Sequence, residues 1–387
     1  MTAPHSRVVL VGAGHAHVQV LRRWADSPPS AIELILVVDR TDATYSGMVP
    51  GFIAGDYRLE ETQIPVLPLA QCAAAQVVLQ AARRLDPARR SIELEDGSAL
   101  AYDIASLDVG SSVRALDVPG VREHALATRP IGEFTTALDR RVAAIDGRPA
   151  RVAVVGGGAA GVEIAFTLKA RLARSHAAAE VFVVCGAEGL LPSYAARVRS
   201  LVTREAARSG ITIAATSDVR FVDAAGVGFA TGRLAADLVI WATGAAAPAL
   251  VAESPLLHDE HGFARVRPTL EVAGARGLFA AGDCATIEGA AWVPKAGVHA
   301  VRAGPVLEAN LRAALDGRPL CDYRPQRDFL SLINLGGRRA LATKWGVAIA
   351  GHLPWRWKDR IDRAFVAGFR SPQGAAARQH PAAAQRR

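Results

Sequence analysis

The residues best placed to do chemistry near the start of the chain are two glycines one residue apart. Gly12 and Gly14 follow an apolar run over residues 8–11, and a helical pattern comes next. In such a strand–turn–helix, the second glycine lets the backbone approach a pyrophosphate, and the helix N-terminus offers N–H groups and a partial positive charge. Asp39 ends the next apolar run, where a ribose hydroxyl needs an acceptor. His17 replaces the third glycine of the fingerprint, so we expect the first helical turn to sit differently.

The same arrangement recurs in the middle of the chain. Gly156, Gly158 and Gly161 follow the apolar run 152–155, which completes the dinucleotide-binding fingerprint. Two such units predict two dinucleotide sites, whereas either unit alone is also consistent with a glycine-rich turn that binds nothing. The second strand of this unit ends at Cys185 without an acid, so the sequence does not indicate a preference between NADH and NADPH.

A loop rich in small residues covers residues 40–55. A loop that leaves the carboxyl end of a strand in an open α/β sheet faces the ligand crevice, so Arg40 and Ser46 are predicted to contact a bound cofactor. An ordinary well-packed loop explains this composition equally well. Alternating patterns predict β-meanders at 83–103 and 218–229. Further predicted strands end at Gly110, Gly244 and Gly282.

Composition limits the classes of function. The chain has 387 residues and a net charge of +8, and arginine supplies most of its positive charge. This balance favours anionic partners such as nucleotide phosphates or acidic lipid; nucleic acid is the weakest of these because no basic block is interleaved with aromatic residues. The four cysteines are widely spaced, which predicts neither a metal site nor a local disulfide and fits a reducing cytosol. We expect no signal peptide and no membrane-spanning segment.

The last helical pattern carries large apolar residues at four-residue spacing. They are Leu353, Trp357, Ile361, Phe365 and Phe369. Basic residues share the other face with two acids, so segment 353–370 is predicted either to lie on an anionic membrane surface or to dock on its own domain or a second subunit. The alanine-, glutamine- and arginine-rich tail at 371–387 is predicted to be disordered.

Five motifs in a fixed order carry a family resemblance. They lie at 12–18, 108–111, 156–163, 242–244 and 280–284. The chain resembles the pyridine nucleotide–disulfide oxidoreductase superfamily over roughly its first 320 residues. Within it, the chain is most similar to the type II NADH dehydrogenase and sulfide–quinone reductase branch, and above all to the subgroup that in some proteins precedes a selenide, water dikinase domain. The segments that suggest this subgroup are 12–18, 45–51, 293–311 and 357–363.

The resemblance implies an α/β fold with two Rossmann-like, three-layer dinucleotide-binding domains. The FAD-binding domain would comprise 1–115 and 255–320, with the NAD(P)-binding domain, 116–254, inserted between its halves. A small C-terminal segment, 321–370, and the tail at 371–387 would follow. FAD is expected on the first glycine turn and NAD(P)H on the second.

Several residue roles are implied by the resemblance alone. Asp283 would bind the flavin ribityl chain or a phosphate, although an acid that caps its loop is the alternative. Lys295 and the helix start at 296–297 would stabilise the anionic reduced flavin. The alternative is that Lys295 is an ordinary surface lysine. Glu163 would face nicotinamide or flavin; the alternative is that it is a carboxylate on the helix surface. The predicted catalytic residues are therefore Lys295 and Glu163, and the predicted cofactor-binding residues are Gly12, Gly14, His15, Ala16, His17, Asp39, Arg40, Ser46, Gly110, Gly156, Gly158, Ala159, Ala160, Gly161, Gly244, Gly282, Asp283, Ala296 and Gly297.

The two histidines of the first turn are candidate proton shuttles, but a position beside the FAD phosphates favours hydrogen bonding or packing for both His15 and His17. Disulfide chemistry is not expected, because the sequence places no cysteine pair near the flavin. The leading hypothesis is an FAD enzyme that takes hydride from NAD(P)H and passes electrons to a quinone-type acceptor. The alternatives are an NAD(P)H-dependent enzyme acting on selenium or sulfur species, and a non-catalytic FAD-bound sensor or scaffold. We expect a cytoplasmic protein. The sequence leaves open whether it attaches peripherally to the inner face of the cytoplasmic membrane and whether it forms a homodimer.

Overall fold

The computed structural model of the protein describes residues 6–145, 147, 149–174, 178–215 and 219–370. The predicted disordered tail and Asp218 lie outside these residues. In chain order the strands and α-helices are β1 (Ser6–Val11), α1 (His17–Asp26), β2 (Ile32–Val38), β3 (Asp42–Thr44), α2 (Val49–Ile53), β4 (Gln63–Pro65), α3 (Val66–Cys72), β5 (Gln76–Leu79), β6 (Ala82–Asp86), β7 (Ser91–Leu94), β8 (Ala99–Ala101), β9 (Ile104–Leu107), β10 (Ser112–Val113), α4 (Val121–His124), β11 (Ala125–Ala127), α5 (Ile131–Ala143), β12 (Ala150–Val155), α6 (Ala159–Arg174), β13 (Ala179–Cys185), α7 (Ala196–Arg208), β14 (Ile211–Ala215), β15 (Val219–Asp223), β16 (Gly226–Phe229), β17 (Gly232–Ala235), β18 (Leu238–Trp241), β19 (Ala245–Ala246), α8 (Ala249–Ala252), β20 (Ala264–Val266), β21 (Leu278–Ala280), β22 (Ala285–Ile287), α9 (Gly297–Leu315), β23 (Ser331–Asn334), β24 (Ala340–Lys344), β25 (Val347–Gly351) and α10 (His352–Arg370). Two 3₁₀-helices span Leu59–Thr62 and Gly282–Cys284.

The first large sheet is parallel, with strand order β21-β9-β1-β2-β5. Its central strands are continuous apolar runs because both faces of the sheet are covered. On one face, Trp24 of α1 and Leu307 of α9 pack in a cluster with Leu10. On the other face, Leu85 and Ile92 of the β6–β8 meander pack in a cluster with Val9 and other residues of the sheet. The sheet is therefore the middle of three layers.

The second large sheet repeats this plan with strand order β11-β18-β12-β13-β14, again parallel. Phe134 of α5 and Phe166 of α6 cover one face, and Val222 and Val227 of the β15–β17 meander cover the other. The predicted fold class is confirmed, as are both meanders within the described residues. All strands of the second sheet lie between those of the first along the chain; the domain boundaries themselves remain predictions.

The C-terminal segment forms an antiparallel sheet, β23-β24-β25, followed by α10. The predicted single apolar stripe of α10 is wrong in one respect. Leu353, Trp357 and Ile361 are 73%, 52% and 42% exposed, whereas Phe369 is buried. A four-residue step advances a helix about 40° beyond a full turn, so the stripe winds from the solvent side at the N-terminal end to the core at the C-terminal end. None of the described helices is long and apolar enough to span a membrane.

Candidate functional site

A large cleft lies along the carboxyl ends of the strands of the first sheet, where open α/β sheets bind ligands. It holds about 1490 Å³ of space, including the part open to solvent. The predicted cofactor-binding residues that line it are Gly12, Gly14, His15, Asp39, Arg40, Ser46, Gly110, Asp283 and Gly297. Asp39 is paired with the neighbouring Arg40 at 3.1 Å, at the end of β2. Residues from distant parts of the sequence therefore meet at one cleft.

The first glycine turn is remodelled by a carboxylate of the motif at 108–111, to which the sequence analysis gave no separate role. Asp108 Oδ2 accepts hydrogen bonds from the backbone N–H groups of Ala16 at 2.7 Å and His17 at 2.9 Å. A Cβ on Gly14 would lie 2.3 Å from Asp108 Oδ1. These two N–H groups, which the sequence predicts to be available to a pyrophosphate, are therefore bonded to a buried side chain in this structure. Burial raises the pKa of the Asp108 carboxyl to about 7, despite the two donors.

His17 is part of the same structure and not of the cleft surface. Its side chain is fully buried, with Nδ1 hydrogen-bonded to Gly12 O at 2.7 Å and Nε2 to Ser106 Oγ at 2.8 Å. Burial lowers the pKa of His17 to about 4. These bonds support the hydrogen-bonding role predicted for this histidine over proton transfer, and they show what replaces the close packing of a third glycine.

The second glycine turn keeps the geometry that the fingerprint predicts. A Cβ on Gly156 would lie 2.1 Å from Ala242 O, and one on Gly161 would lie 2.0 Å from Gly156 O, so both positions require glycine. A Cβ on Gly158 would meet no atom within 4 Å. This leaves open space beside the start of α6, which begins with Ala159 and Ala160. Gly244 follows the neighbouring strand β18, whose end meets this turn through the backbone of Ala242.

Asp283 forms an ion pair with Arg129, which follows β11. Arg129 Nη1 donates to Asp283 Oδ2 at 2.7 Å, and the two side chains are 23% and 16% exposed. The same nitrogen contacts Ser111 Oγ, and Nη2 reaches Lys295 O at 3.5 Å. Arg129, Ser111 and Asp283 all line the cleft. No sequence signal pointed to Arg129, which follows β11 in the stretch between the two glycine turns.

The side chain of Lys295 turns away from the large cleft. Its ammonium donates to Ala285 O and to Thr286 Oγ1, and it lies 3.9 Å from the centre of the Phe263 ring. It lines a smaller cavity behind Gly282 instead. Burial lowers the pKa of Lys295. The helix start beside it does face the cleft through Gly297, where a Cβ would lie 2.8 Å from Ser46 Oγ. A catalytic role for Lys295 remains a prediction without support from a contact in the cleft.

The cleft wall at His15 is closed by the C-terminal helix. The rings of His15 and Tyr45 lie 5.3 Å apart, and Phe365 of α10 stacks on Tyr45 at 4.5 Å. His15 Nε2 lies 3.3 Å from Ser46 Oγ. Burial lowers the pKa of His15 to about 4, so the imidazole is neutral at physiological pH. The C-terminal segment is thus part of the site.

Glu163 lies behind this wall, in a cluster of charged side chains. Its Oε1 accepts the backbone N–H of Asn334 at 2.8 Å. Burial raises the pKa of Glu163 to about 7, and Asp362 raises it further while Lys358 opposes the rise. Lys358 Nζ donates to Asp362 Oδ2 at 2.8 Å and to Gly47 O at 2.6 Å. Glu163 does not line the cleft. Lys358, whose charge acts on Glu163, bonds to Gly47 O in the loop that follows β3.

Comparison with known proteins identifies this arrangement. The family model described as pyridine nucleotide-disulphide oxidoreductase matches residues 6–304, which is most of the chain. The chain belongs to this family. Membership confirms the predicted family, an oxidoreductase activity, and FAD with NAD(P)H as the cofactors. Each of the two glycine turns lies at the carboxyl end of a parallel sheet, where open α/β sheets bind ligands.

Relatives of similar length support a particular branch of the family. The chain is 24% identical over 373 residues to demethylphylloquinone reductase NdbB of Synechocystis, covering 91% of this chain and 90% of the relative. It is 21% identical to the NADH dehydrogenase-like protein YutJ of Bacillus subtilis, covering 86% and 91%. Among solved structures, the sulfide:quinone oxidoreductase of Aquifex aeolicus matches with a TM-score of 0.76, 15% identity and coverage of 95% and 92%. NDH2 from Plasmodium falciparum in complex with NADH matches with a TM-score of 0.75, 14% identity and coverage of 95% and 98%.

All four cysteines are free. Cys284, the one nearest the cleft, is fully buried, and burial raises the pKa of its thiol to about 12. A thiol of this kind is not a nucleophile at neutral pH.

Proposed function

We propose that the protein is an NAD(P)H:quinone oxidoreductase that works at a membrane surface. The large cleft would hold FAD, which would supply the chemistry of hydride transfer from NAD(P)H and of onward electron transfer. The observation that carries the proposal is the pair of glycine turns at the ends of two parallel sheets in a chain without a cysteine pair. Demethylphylloquinone reductase, which matches over most of both chains, supports a quinone as the acceptor.

The protein's own residues would do three things. Asp283 and Arg129 would bind the polar chain of FAD, and Asp39 would bind the ribose at the far end of the cleft. Gly158 leaves space for the pyrophosphate of NAD(P)H. Glu163 holds a proton near neutral pH, because burial raises the pKa of its carboxyl to about 7. A quinone takes up protons with its electrons, so a carboxyl that titrates near neutral pH and whose neighbour Lys358 contacts the cleft loop suits this acceptor.

Attachment to a membrane is supported by a patch of exposed apolar side chains on the C-terminal segment. The apolar patch comprises Trp345, Val347, Ile349, Leu353, Trp357 and Ile361, each between 42% and 75% exposed. The exposed Arg356 and Arg360 lie on the same helix. Apolar and aromatic residues beside arginines favour the interface of an anionic bilayer. The strand residues of this patch were not predicted, because β24 and β25 are short and their alternation is easily missed.

The acceptor is tested by reoxidation of the reduced enzyme. Protein reduced with NADH or NADPH is mixed with a quinone in anionic vesicles, with a quinone in neutral vesicles, or with selenite or a polysulfide. We expect the flavin absorbance to return fastest with the quinone in anionic vesicles. Reoxidation by a selenium or sulfur species and not by quinone would replace this proposal by that alternative.

The membrane surface is tested with charge-introducing variants. Leu353→Glu with Trp357→Glu should abolish co-sedimentation with anionic vesicles and leave the reduction by NAD(P)H unchanged. Leu257→Glu is the matched control, because Leu257 is 49% exposed but lies outside the apolar patch. Equal sedimentation of all three proteins would refute attachment through this surface.

A further inference from the structure

One aromatic side chain of the cleft wall is held by the C-terminal helix at both its ring and its hydroxyl group. Tyr45 lines the cleft beside Ser46, and a Cβ added at Gly297, where α9 begins, would lie 2.8 Å from Ser46 Oγ. The Tyr45 ring therefore lies on the side of the cleft at which α9 begins. Phe365 of α10 stacks on this ring with a centroid distance of 4.5 Å. An aromatic ring in this position can contact a flat ligand that occupies the cleft.

The hydroxyl end of the same side chain is bonded to α10 three residues before Phe365. Tyr45 Oη donates a hydrogen bond to the carboxylate of Asp362. Burial of the phenol, and then the charge of Asp362, raise the pKa of Tyr45, so the hydroxyl stays protonated and remains a donor. Positions three apart lie on one face of a helix, so one face of α10 holds both the ring and the hydroxyl.

Asp362 can serve as a buried acceptor because its negative charge is compensated. It is 4% exposed, and Lys358, four residues earlier on α10, is 8% exposed. Lys358 Nζ donates to Asp362 Oδ2 at 2.8 Å and to Gly47 O at 2.6 Å, which attaches the ion pair to the loop that carries Tyr45. A buried ion pair often adds little net stability over apolar residues of similar volume, so the loop that it holds explains its placement better.

Gly47 provides the space in which the phenol and the carboxylate meet. A Cβ at this position would lie 2.8 Å from Cε1 of the Tyr45 ring and 3.0 Å from Asp362 Oδ1. The φ angle of Gly47 is not positive, so its backbone conformation is open to other residues. Space between the two side chains is therefore the reason that this position suits glycine.

We propose that Asp362 is a positioning residue that holds the ring of Tyr45 against the isoalloxazine ring of FAD. Asp362 does not line the cleft itself and acts through the Tyr45 hydroxyl. The N-terminal half of the same helix carries the exposed Leu353, Trp357 and Ile361, so the helix that contributes to the apolar patch also supports the flavin site. This inference rests on the proposed binding of FAD in the large cleft.

The contact is tested by the fluorescence lifetime of FAD bound to the full-length protein. A phenol in contact with an excited flavin quenches its emission by electron transfer, and the lifetime of the bound flavin does not depend on how much of the protein carries FAD. Tyr45→Leu should lengthen the mean lifetime at least fivefold. Tyr57→Leu is the matched control and should leave it unchanged, because Tyr57 Oη donates to Asp359 Oδ1 of α10 at 2.6 Å but the side chain does not line the cleft.

Two further variants test Asp362 separately from Tyr45. Asp362→Leu combined with Lys358→Met removes both charges, so that no buried charge loses its partner, and it leaves the Tyr45 phenol without its acceptor. Gly47→Ala keeps all three side chains and inserts a methyl group between the ring and the carboxylate. Each protein should show a mean lifetime at least twofold longer than the wild type. Folding is checked by circular dichroism, and Gly47→Ala decides the matter if the double variant does not fold.

A wild-type lifetime in Tyr45→Leu would overturn the contact between Tyr45 and the flavin. A long lifetime in Tyr45→Leu, together with wild-type lifetimes in the folded double variant and in Gly47→Ala, would overturn the role of Asp362. Failure of the wild-type protein to bind FAD at all would instead refute the cofactor assignment, so the three failures are distinguishable.

Discussion

Gly158 and Gly161 stand in one turn, and the structure predicts opposite consequences for adding a methyl group to each. An added Cβ at Gly158 meets nothing within 4 Å, whereas at Gly161 it lies 2.0 Å from Gly156 O. Neither residue has a positive φ, so alanine is compatible with both backbone conformations. The difference between the two variants therefore arises from space alone, which makes each a control for the other.

Gly158→Ala should fold normally and bind nicotinamide cofactors poorly. Glycine to alanine at a compatible position stabilises a protein by about 0.4–1 kcal/mol, because the unfolded chain loses conformational freedom. The new methyl group fills the space through which a pyrophosphate approaches the helix start. We expect the dissociation constants of NADH and NADPH to rise at least tenfold, or about 1.4 kcal/mol, with FAD retained.

Gly161→Ala should instead destabilise the protein. Ordinary van der Waals contact begins near 3.4 Å, so α6 must move by more than about 1 Å away from β12, and overpacking of this kind costs about 1–3 kcal/mol. We expect a lower midpoint of thermal unfolding, measured by circular dichroism. Calorimetric titration with NADH and NADPH completes the comparison. Wild-type cofactor affinity in Gly158→Ala, or equal destabilisation by both substitutions, would show that the second turn does not bind a dinucleotide as argued.

Three further predictions concern the surroundings of the cleft. Glu163→Gln should remove a pH dependence of quinone reduction centred near pH 7. Because the folded carboxyl has a pKa above its ordinary value, the wild type should also lose stability relative to this variant as pH rises from about 4.5 to 7; parallel stability curves would contradict the burial of a protonated carboxyl. Lys358→Met should lower the free energy of unfolding by about 3 kcal/mol, because it leaves Asp362 buried without its partner, and denaturant titration that shows no change would refute this pairing. Cys284→Ala should keep the rate of NAD(P)H oxidation within about twofold, given a thiol held protonated at neutral pH; complete loss in the steady-state assay, with the fold intact, would reinstate thiol chemistry.

Local patterns were enough to predict the strand–turn–helix units, because continuous apolar runs and closely spaced glycines are determined by neighbouring residues. The second turn matched the fingerprint at Gly156, Gly158 and Gly161, since all its close contacts are made by strand ends of the same sheet. The first turn did not, because Asp108 reaches Ala16 from 92 residues away. A sequence holds no local signal for such a contact.

The charged residues of α10 show a second limit. Their spacing suggested one exposed polar face, yet Lys358 and Asp362 are buried, whereas Arg356, Arg360, Arg363 and Arg370 are exposed. The reason is that this helix packs against the cleft loop, where Gly47 O accepts the ammonium of Lys358. The placement of Arg129 was missed for the same reason, because its partner Asp283 lies 154 residues further along the chain.

The most direct test of the account is the reductive half-reaction of the purified protein under anaerobic conditions. We predict a yellow protein with a single FAD per chain, whose flavin absorbance is bleached by NADH or NADPH and restored by a quinone. A colourless protein that cannot be reconstituted with FAD, or a flavin that neither nicotinamide cofactor bleaches, would contradict the claim that the two glycine turns hold a flavin and a nicotinamide for hydride transfer.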